Sequence, residues 1–286
     1  MPDQNPQFVQ QRLFADPTPH GIVNQRIIQH SVLLARQLTD LNEKEQQDLL
    51  HVLLYLGRKL AFTWNHLSRF GEIQGGLRRQ VEATPASASV VIQIEYSEEL
   101  FQEFDEFAVQ LKSTLDHLVK IGVPVFGAKW TLRTFGDKGA SVIKALENNV
   151  PKKHKAEVEG IKEMFLKRNE TWLRDFIEVR DRVNHFVEGG LPLEKFGVNR
   201  LPDGSITVPM WHVNQPVVDA MDIIWNNLLR FSEDFVAAFL YFRRKPGLVL
   251  FHGPEPDDPT RSPWVVTTEE VMQRELSANP DKWRKP

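Results

Sequence analysis

The sequence predicts an all-α protein, an up-and-down helical bundle with a small β-hairpin insert and an additional N-terminal helical hairpin. Three long stretches repeat apolar residues every three or four positions, which is the spacing of one helix face; they lie at 97–121, 154–188 and 214–244. The 286 residues are 41% hydrophobic and 26% charged, which argues against a disordered chain, a collagen-like repeat and a membrane protein. No apolar run approaches the roughly 18 residues that a membrane-spanning helix needs.

Residues 1–90 are predicted to form the N-terminal helical hairpin and a linker. The stretch 21–39 has helical periodicity, and Asn42 stands three positions before Glu45, the spacing of a capping box that opens a second helix. The stretch 71–90 contains two adjacent glycines and a run of small residues with a proline, which are linker signals. We therefore place a domain boundary there.

Residues 91–246 are predicted to form the main bundle. A short strand is expected at 90–96, and a small hairpin is expected around Pro202-Asp203-Gly204, where proline and glycine suit a tight turn. We expect the segment 122–138 to be a loop with aromatic anchors, because it lacks a sustained period. The predicted helices cover 97–121, 139–149, 154–188 and 214–244.

Residues 247–286 are predicted to form an irregular C-terminal tail. This segment is rich in proline, aspartate and glycine, which interrupt regular structure. One weak helix start occurs where Thr267 precedes Glu270 by three positions. We expect the tail to wrap around the bundle or to fray.

Composition excludes several kinds of chemistry. The chain has no cysteine, so thiolate nucleophiles, disulfides and cysteine-bound zinc are excluded. The net charge of −3 argues against a broad, non-specific grip on nucleic acid, although local basic sites remain open. A helical carboxylate-histidine metal pair is approached by Asp48 and His51 alone, and a di-metal bundle needs two such pairs. The basic clusters are Arg78-Arg79, Lys152–Lys155 and Arg243–Lys245, and we interpret clusters of this size as solvated surface.

One group of residues stands out at the end of the long segment 154–188. It comprises Arg180, Asp181, Arg182, Asn184 and His185. Arginine is a permanent planar cation that can grip a phosphate through two hydrogen bonds, and histidine can transfer a proton near neutral pH. Together they suit phosphodiester chemistry. Asp181, four residues before His185, could orient the imidazole, while Asn184 offers both a donor and an acceptor.

This group resembles the R-x4-6-H signature of the HEPN superfamily. Arg180 and His185 are separated by four residues, and the polar Asp181 follows the arginine directly. The order of segments is also similar to that family, with an earlier helix at 104–121, the motif closing a later helix, and a hairpin and aromatic-rich helix after it. The resemblance covers roughly residues 97–245, so it includes the 91–246 bundle.

The resemblance implies a metal-independent endoribonuclease that works as a homodimer, without a cofactor. A ribose 2′-OH would attack the adjacent phosphate and leave 2′,3′-cyclic phosphate and 5′-OH ends. His185 would be the general acid or base, Arg180 would stabilise charge on the phosphorane, and Asp181 and Asn184 would support them. Arg182 is a weaker candidate for contact with a substrate phosphate. Toxin or defence proteins with RNA substrates and antitoxin partners are known in this family, whereas other members are inactive scaffolds or nucleotide-binding modules.

The helix geometry favours two copies of the motif. At about 100° per residue, Arg180 and His185 are about 140° apart around an ideal helix, so one helix does not aim both at one phosphate. A twofold dimer would pair two motifs across a shared cleft. The alternative is a non-catalytic helical scaffold or nucleotide-binding interaction protein, in which the arginines pair with Glu178 or Asp181. No basic, apolar leader is evident in the first residues, so we expect a cytoplasmic protein.

Overall fold

The computed structural model is mainly helical and confirms the predicted fold class. It describes residues 15–84, 93–136, 139–174, 176–177, 196–212 and 214–278. The helices are a π-helical turn at Val23–Gln29, α1 (His30–Leu38), α2 (Glu43–Ala83), α3 (Glu98–Leu118), α4 (Gly122–Phe126), α5 (Ala140–Asn149), α6 (Lys155–Arg168), a π-helical turn at Asn169–Leu173, α7 (Val217–Tyr241) and α8 (Glu269–Ala278). The strands are β1 (Gln93–Tyr96), β2 (Gly197–Arg200), β3 (Ile206–Thr207), β4 (Met210–His212), β5 (Gln215–Pro216), β6 (Leu248–His252) and β7 (Trp264–Thr268). Within these ranges, no helix has both the length and the apolar content to cross a bilayer.

Helix α2 begins with the predicted capping box. The Asn42 side chain accepts a hydrogen bond from the Glu45 amide at 3.0 Å, and the Glu45 carboxylate accepts one from the Asn42 amide at 2.9 Å. These two bonds satisfy amides that a helix N-terminus otherwise leaves without partners. With 41 residues, α2 extends for about 60 Å along one edge of the bundle.

The helix α2 also corrects the linker prediction, because it continues through Gly75 and Gly76 to Ala83. Glycine costs about 1 kcal/mol relative to alanine inside a helix, but packing can offset that cost. Val81 beyond the glycines is fully buried. Arg200 from β2 then closes the helix end, because its guanidinium donates to the Val81 carbonyl at 2.5 Å and to the Thr84 carbonyl at 2.6 Å.

Helix α7 lies within the predicted helix 214–244 and runs through the core. Phe231, Phe235 and Phe239 are fully buried on it, and the last two rings stack with their centroids 4.3 Å apart. The Trp225 indole donates to the Leu60 carbonyl at 3.2 Å, which ties α7 to α2. The core is thus assembled between α2, α3 and α7, with α6 packed on the aromatic face of α7 through Phe165.

The predicted strand and hairpin form one antiparallel sheet with the order β1-β2-β3. Gln93 of β1 lies opposite Arg200 of β2, and β2 turns into β3 through Asp203 and Gly204. Gly204 has a φ of +83°, a left-handed conformation that favours glycine. The Asp203 carboxylate accepts the Ser205 amide at 2.9 Å and stabilises the turn. This sheet brings the strand before α3 next to the strand that follows residue 196.

The segment 122–138 is more regular than the loop prediction allowed, because it contains α4. The predicted aromatic anchor Trp130 is buried, and its indole donates to the Val119 carbonyl at 2.7 Å. Gly122 lets this ring approach closely, since a Cβ on Gly122 would stand 2.2 Å from the indole. The loop prediction failed because α4 is short and takes its stability from tertiary packing rather than from a repeating pattern.

The C-terminal tail prediction was wrong for residues 248–278, which form an antiparallel β6–β7 hairpin and α8. Leu248, Leu250, Trp264 and Val266 alternate along the two strands and pack against the core. Burial of these side chains on the bundle gives the hairpin the stability that an isolated pair of strands lacks. The four prolines in the described part of this segment, Pro254, Pro256, Pro259 and Pro263, lie in the connection between the strands.

Candidate functional site

All five residues of the predicted site lie outside the described residues. They are Arg180, Asp181, Arg182, Asn184 and His185, within the stretch 178–195. Their mutual geometry therefore stays a prediction.

The chain that leads into residues 178–195 is fixed in the core. Trp172, Leu173 and Phe176 are all buried, and the Phe176 ring packs edge-on against Phe107 of α3, with 6.2 Å between the ring centroids. The Trp172 ring packs in the same manner against Phe231 of α7. Aromatic contacts of this kind hold the last described turn against two other helices.

The chain that follows residues 178–195 is anchored on the same helix. The Phe196 ring is buried and lies 5.4 Å from both Phe101 and Phe104 of α3, with Phe70 of α2 on its other side at 6.3 Å. Phe104 and the Phe107 that receives Phe176 are one helical turn apart. The two ends of the stretch are therefore anchored on neighbouring turns of α3.

Next to these anchors, α2 and α3 form a cluster of titratable groups. The His66 Nδ1 atom lies 2.6 Å from Glu103 Oε2, and the Arg69 Nε atom lies 3.0 Å from Glu103 Oε1. The Glu103 side chain is 9% exposed, whereas that of Arg69 is 66% exposed. A nearly buried carboxylate thus has both of its oxygens occupied by cationic or imidazole donors.

This His66–Glu103 pair has the geometry of a histidine that a carboxylate orients. When the neutral imidazole donates its Nδ1 proton to Glu103, its Nε2 atom carries the free lone pair. The His66 side chain is 23% exposed, so solvent reaches part of the ring. A base held in this way can accept a proton from a bound hydroxyl. The sequence analysis did not single out His66, because its partner Glu103 lies on another helix, 37 residues further along the chain.

The basic cluster Arg243–Lys245 is occupied within the chain. Arg243 pairs with Asp40 at 2.8 Å and with Glu45 at 3.1 Å. Arg244 pairs with Glu157 at 3.2 Å and lies over the Tyr241 ring. The interpretation of this cluster as solvated surface was therefore incomplete, because its arginines join α7 to the N-terminal hairpin and to α6.

A second charged group lies between the π-helical turn Val23–Gln29 and α7. Arg26 and Glu233 are buried and form a two-bond ion pair, and Arg26 also donates to the Pro259 carbonyl at 3.3 Å. Burial raises the pKa of Glu233, although hydrogen bonds from Arg26 and Ser262 oppose that rise. Burial also disfavours the charge of Arg26, but bonding to Glu233 leaves the Arg26 pKa above its usual value. This pair fastens the C-terminal segment to the bundle.

The C-terminal segment also borders a cleft of about 830 Å³. Apolar side chains of β6, β7 and α8 line it, including Phe251, Val265 and Met272, with Glu255 and Arg261 among the polar residues. No histidine is among the described residues that line the cleft, and its titratable side chains are Arg261 and the carboxylates of Glu255, Asp257 and Glu275.

The described ranges contain no cluster of side chains that could bind a metal ion. No group of three or more histidine and carboxylate side chains is close enough there to hold an ion. No family model matches the chain, and comparisons with curated proteins and with solved structures found no match.

Proposed function

We propose that this chain is a metal-independent endoribonuclease of the HEPN type, with a composite active site at a homodimer interface. The observation that carries the proposal is the Arg180-x4-His185 motif with Asp181 after the arginine. The motif begins three residues beyond Ile177, at the end of a helical segment whose aromatic residues are buried in the core. A rigid support of this kind favours the fixed placement that catalytic groups require.

The fold supports the proposal in a second way. Anchors at Phe176 and Phe196 hold both ends of the motif-bearing stretch on neighbouring turns of α3. The described residues that flank the motif on both sides thus pack on α3. We propose that two chains associate through this side of the bundle, so that two copies of the motif meet.

The proposed reaction balances without a metal. The ribose 2′-oxygen forms a bond to phosphorus as the bond from phosphorus to the 5′-oxygen breaks. His185 accepts the 2′-OH proton or donates a proton to the leaving 5′-oxygen, and the second copy in the dimer serves the other step. Arg180 stabilises the charge on the phosphorane, Asp181 and Asn184 orient His185, and Arg182 contacts a neighbouring phosphate. We further propose a cytoplasmic setting and an antitoxin or other protein partner.

The test is cleavage of single-stranded RNA by the purified full-length protein in EDTA. We expect His185→Ala to lower the single-turnover rate by about 100-fold or more, because general acid-base catalysis contributes about that much. Arg180→Ala should lower it similarly. Matched controls are His20→Asn and Arg274→Ala, at exposed positions distant from the motif in the sequence. Products should carry 2′,3′-cyclic phosphate ends, which acid opens with a change in gel mobility.

Two results would contradict the proposal. The first is an intact RNA after incubation with wild-type protein, and the second is equal cleavage by wild type and His185→Ala. Light scattering tests the dimer separately. Because a composite site requires two chains, the specific activity should also fall when dilution separates them.

The second candidate function is a non-catalytic helical scaffold. The observation that favours it is the occupation of Arg243 and Arg244 by acidic partners within the chain. Its expected outcome is a stable dimer whose RNA stays intact and whose His185→Ala variant behaves as the wild type does.

A further inference from the structure

Where α2 packs against the C-terminal half of α3, its surface carries an exposed ridge. Two large aromatic side chains of α2, Tyr55 and Phe62, are 55% and 47% exposed. Lys59 stands between them at positions four and three residues away, so all three side chains lie on one helix face. Seven residues of helix separate the two rings by about 10.5 Å. Two exposed aromatic rings that share one helix face are more informative than a single exposed apolar residue, because clustered apolar surface is characteristic of binding sites.

The ridge carries cations without acidic partners. The Arg58 guanidinium lies 5.8 Å from the centroid of the Tyr55 ring, the Lys59 ammonium donates to Gln110 at 3.2 Å, and the Lys120 ammonium lies 3.4 Å from the His117 imidazole. Among the described residues, none of these three cations forms an ion pair with a carboxylate. We call this surface the Tyr55–Phe62 ridge. Its members are Tyr55, Arg58, Lys59, Phe62, His117 and Lys120.

The ridge carries three cations, and two of them, Lys59 and Lys120, lie close enough to act on His117. Its ring lies 6.1 Å from that of Tyr55. Burial lowers the pKa of His117, and the charge of Lys120 and, more weakly, that of Lys59 lower it further. Asp116 opposes this effect, but its carboxylate is engaged by Lys112 at 2.6 Å. The ridge therefore attracts an anion.

We propose that the Tyr55–Phe62 ridge binds single-stranded RNA, with one base stacked on each exposed ring and the connecting phosphates held by Lys59 and its neighbouring cations. Every base has a flat face that stacks on an aromatic ring, and a row of cations follows the backbone, so this combination suits single strands of any sequence. The choice of RNA over other single-stranded polyanions rests on the proposed function. The surface gives a role to residues of the N-terminal hairpin that the motif does not use.

The observations favour RNA over an acidic protein segment. The acidic side chains of a peptide would pair with the cations, but they offer no flat ring that stacks on Tyr55 and Phe62. A single strand supplies a negative charge and a stacking face at every nucleotide, which matches the alternation of ring and cation along α2. Duplex nucleic acid keeps its bases stacked inside, so it presents phosphates but no free base face to the two rings.

The test is fluorescence anisotropy of a labelled 12-nucleotide uridine RNA with 2′-O-methyl groups, titrated with the full chain in EDTA. The methylated sugar lacks the 2′-OH nucleophile, so the measurement reads binding and not cleavage. We expect Phe62→Leu and Tyr55→Leu each to raise Kd at least about fivefold, because one stacked base contributes about that much. Lys59→Gln should lower the salt dependence of log Kd by about 0.7.

Matched controls are Leu166→Ala, at another exposed apolar residue, and Arg274→Gln, at an exposed arginine on α8; both should bind as the wild type does. Circular dichroism checks that each ridge variant keeps the helical content of the wild type. His185→Ala should also bind normally, so loss of cleavage with retained binding separates a failure of the nuclease from a failure of the ridge.

Three results would overturn the proposal. One is the absence of RNA binding by the wild-type chain at low salt. Another is RNA binding that Phe62→Leu and Tyr55→Leu leave unchanged, which would place the RNA elsewhere. The third is equal competition by inorganic polyphosphate and by the RNA at matched charge, which would show a purely electrostatic surface with no stacking.

Discussion

The two ends of the α2–α3 pair carry similar cations but present different surfaces. At one end, Glu103 of α3 engages both His66 and Arg69. At the other end, the neutral Gln110 occupies the corresponding place opposite Lys59. One carboxylate therefore decides whether the positive groups of α2 are neutralised within the chain or left available to an anion. The comparison teaches that the sign of a helical surface depends on the facing helix as much as on its own residues.

The largest expected effect comes from removing the carboxylate at the neutralised end. Glu103→Ala should lower the free energy of unfolding by about 2 kcal/mol, because a nearly buried acceptor of two charged or imidazole donors is lost. Urea denaturation of the full chain measures it. The control is Glu106→Ala, an exposed glutamate on the same helix, which should change stability little. Equal stabilities of the two variants would show that Glu103 does not hold α2 to α3.

A carboxylate placed opposite Lys59, as Glu103 lies opposite Arg69, should weaken RNA binding to the ridge. Gln110→Glu places a carboxylate opposite Lys59, and we expect the Kd for the 2′-O-methyl RNA to rise about tenfold at low salt. The effect should shrink as salt is added, since the new charge acts through a screened field. Gln102→Glu, on the exposed face of α3, is the matched control. Unchanged affinity of Gln110→Glu would remove Lys59 from the binding surface.

A smaller effect should appear when pH is lowered. The pKa of His117 is below its usual value because of burial and of Lys120 and Lys59, while Asp116 opposes these effects and the neutral Tyr55 ring faces His117 from α2. A base with a lowered pKa takes up its proton only below about pH 6.5. RNA binding should therefore tighten about threefold as pH falls from 7.5 to 5.5. His117→Gln should remove this pH dependence, and an equal dependence in that variant would contradict the assignment.

The smallest expected effect comes from removing Arg69, the exposed partner of Glu103. Arg69→Ala should change the free energy of unfolding by less than about 1 kcal/mol, because the guanidinium is largely in water and an exposed ion pair contributes little. Thermal unfolding in low and high salt measures it. A loss as large as that of Glu103→Ala would mean that Arg69, rather than His66, is the main partner of the carboxylate.

The sequence predicted those parts of the fold that repeat a local pattern. The period of α7 follows from its own residues, and the turn at Gly204 follows from a requirement for positive φ. The prediction ended α2 too early because two glycines there have low helix propensity. In the structure, Arg200 from a distant strand completes the helix end. Contacts of that kind involve residues more than 100 positions apart and leave no local pattern.

The candidate surfaces show the same limit. His66 and Glu103 are 37 residues apart, and only the register of two antiparallel helices brings them together. Tyr55, Lys59 and Phe62 have the spacing of one helix face, which is a local signal for the ridge. Their exposure depends on where α3 packs, and the spacing alone does not show that. The Arg180 and His185 motif is the reverse case, because its residues lie only five positions apart on the chain, and their roles stay a prediction from the family resemblance.

The most direct test of the account is single-turnover cleavage of one RNA at rising concentrations of the full-length protein in EDTA. The plateau rate reports the chemistry, and the half-saturating concentration reports binding. The account predicts that His185→Ala lowers the plateau at an unchanged half-saturating concentration, while Phe62→Leu raises that concentration at an unchanged plateau. Contradiction would come from the two substitutions altering the same parameter, or from neither altering the reaction.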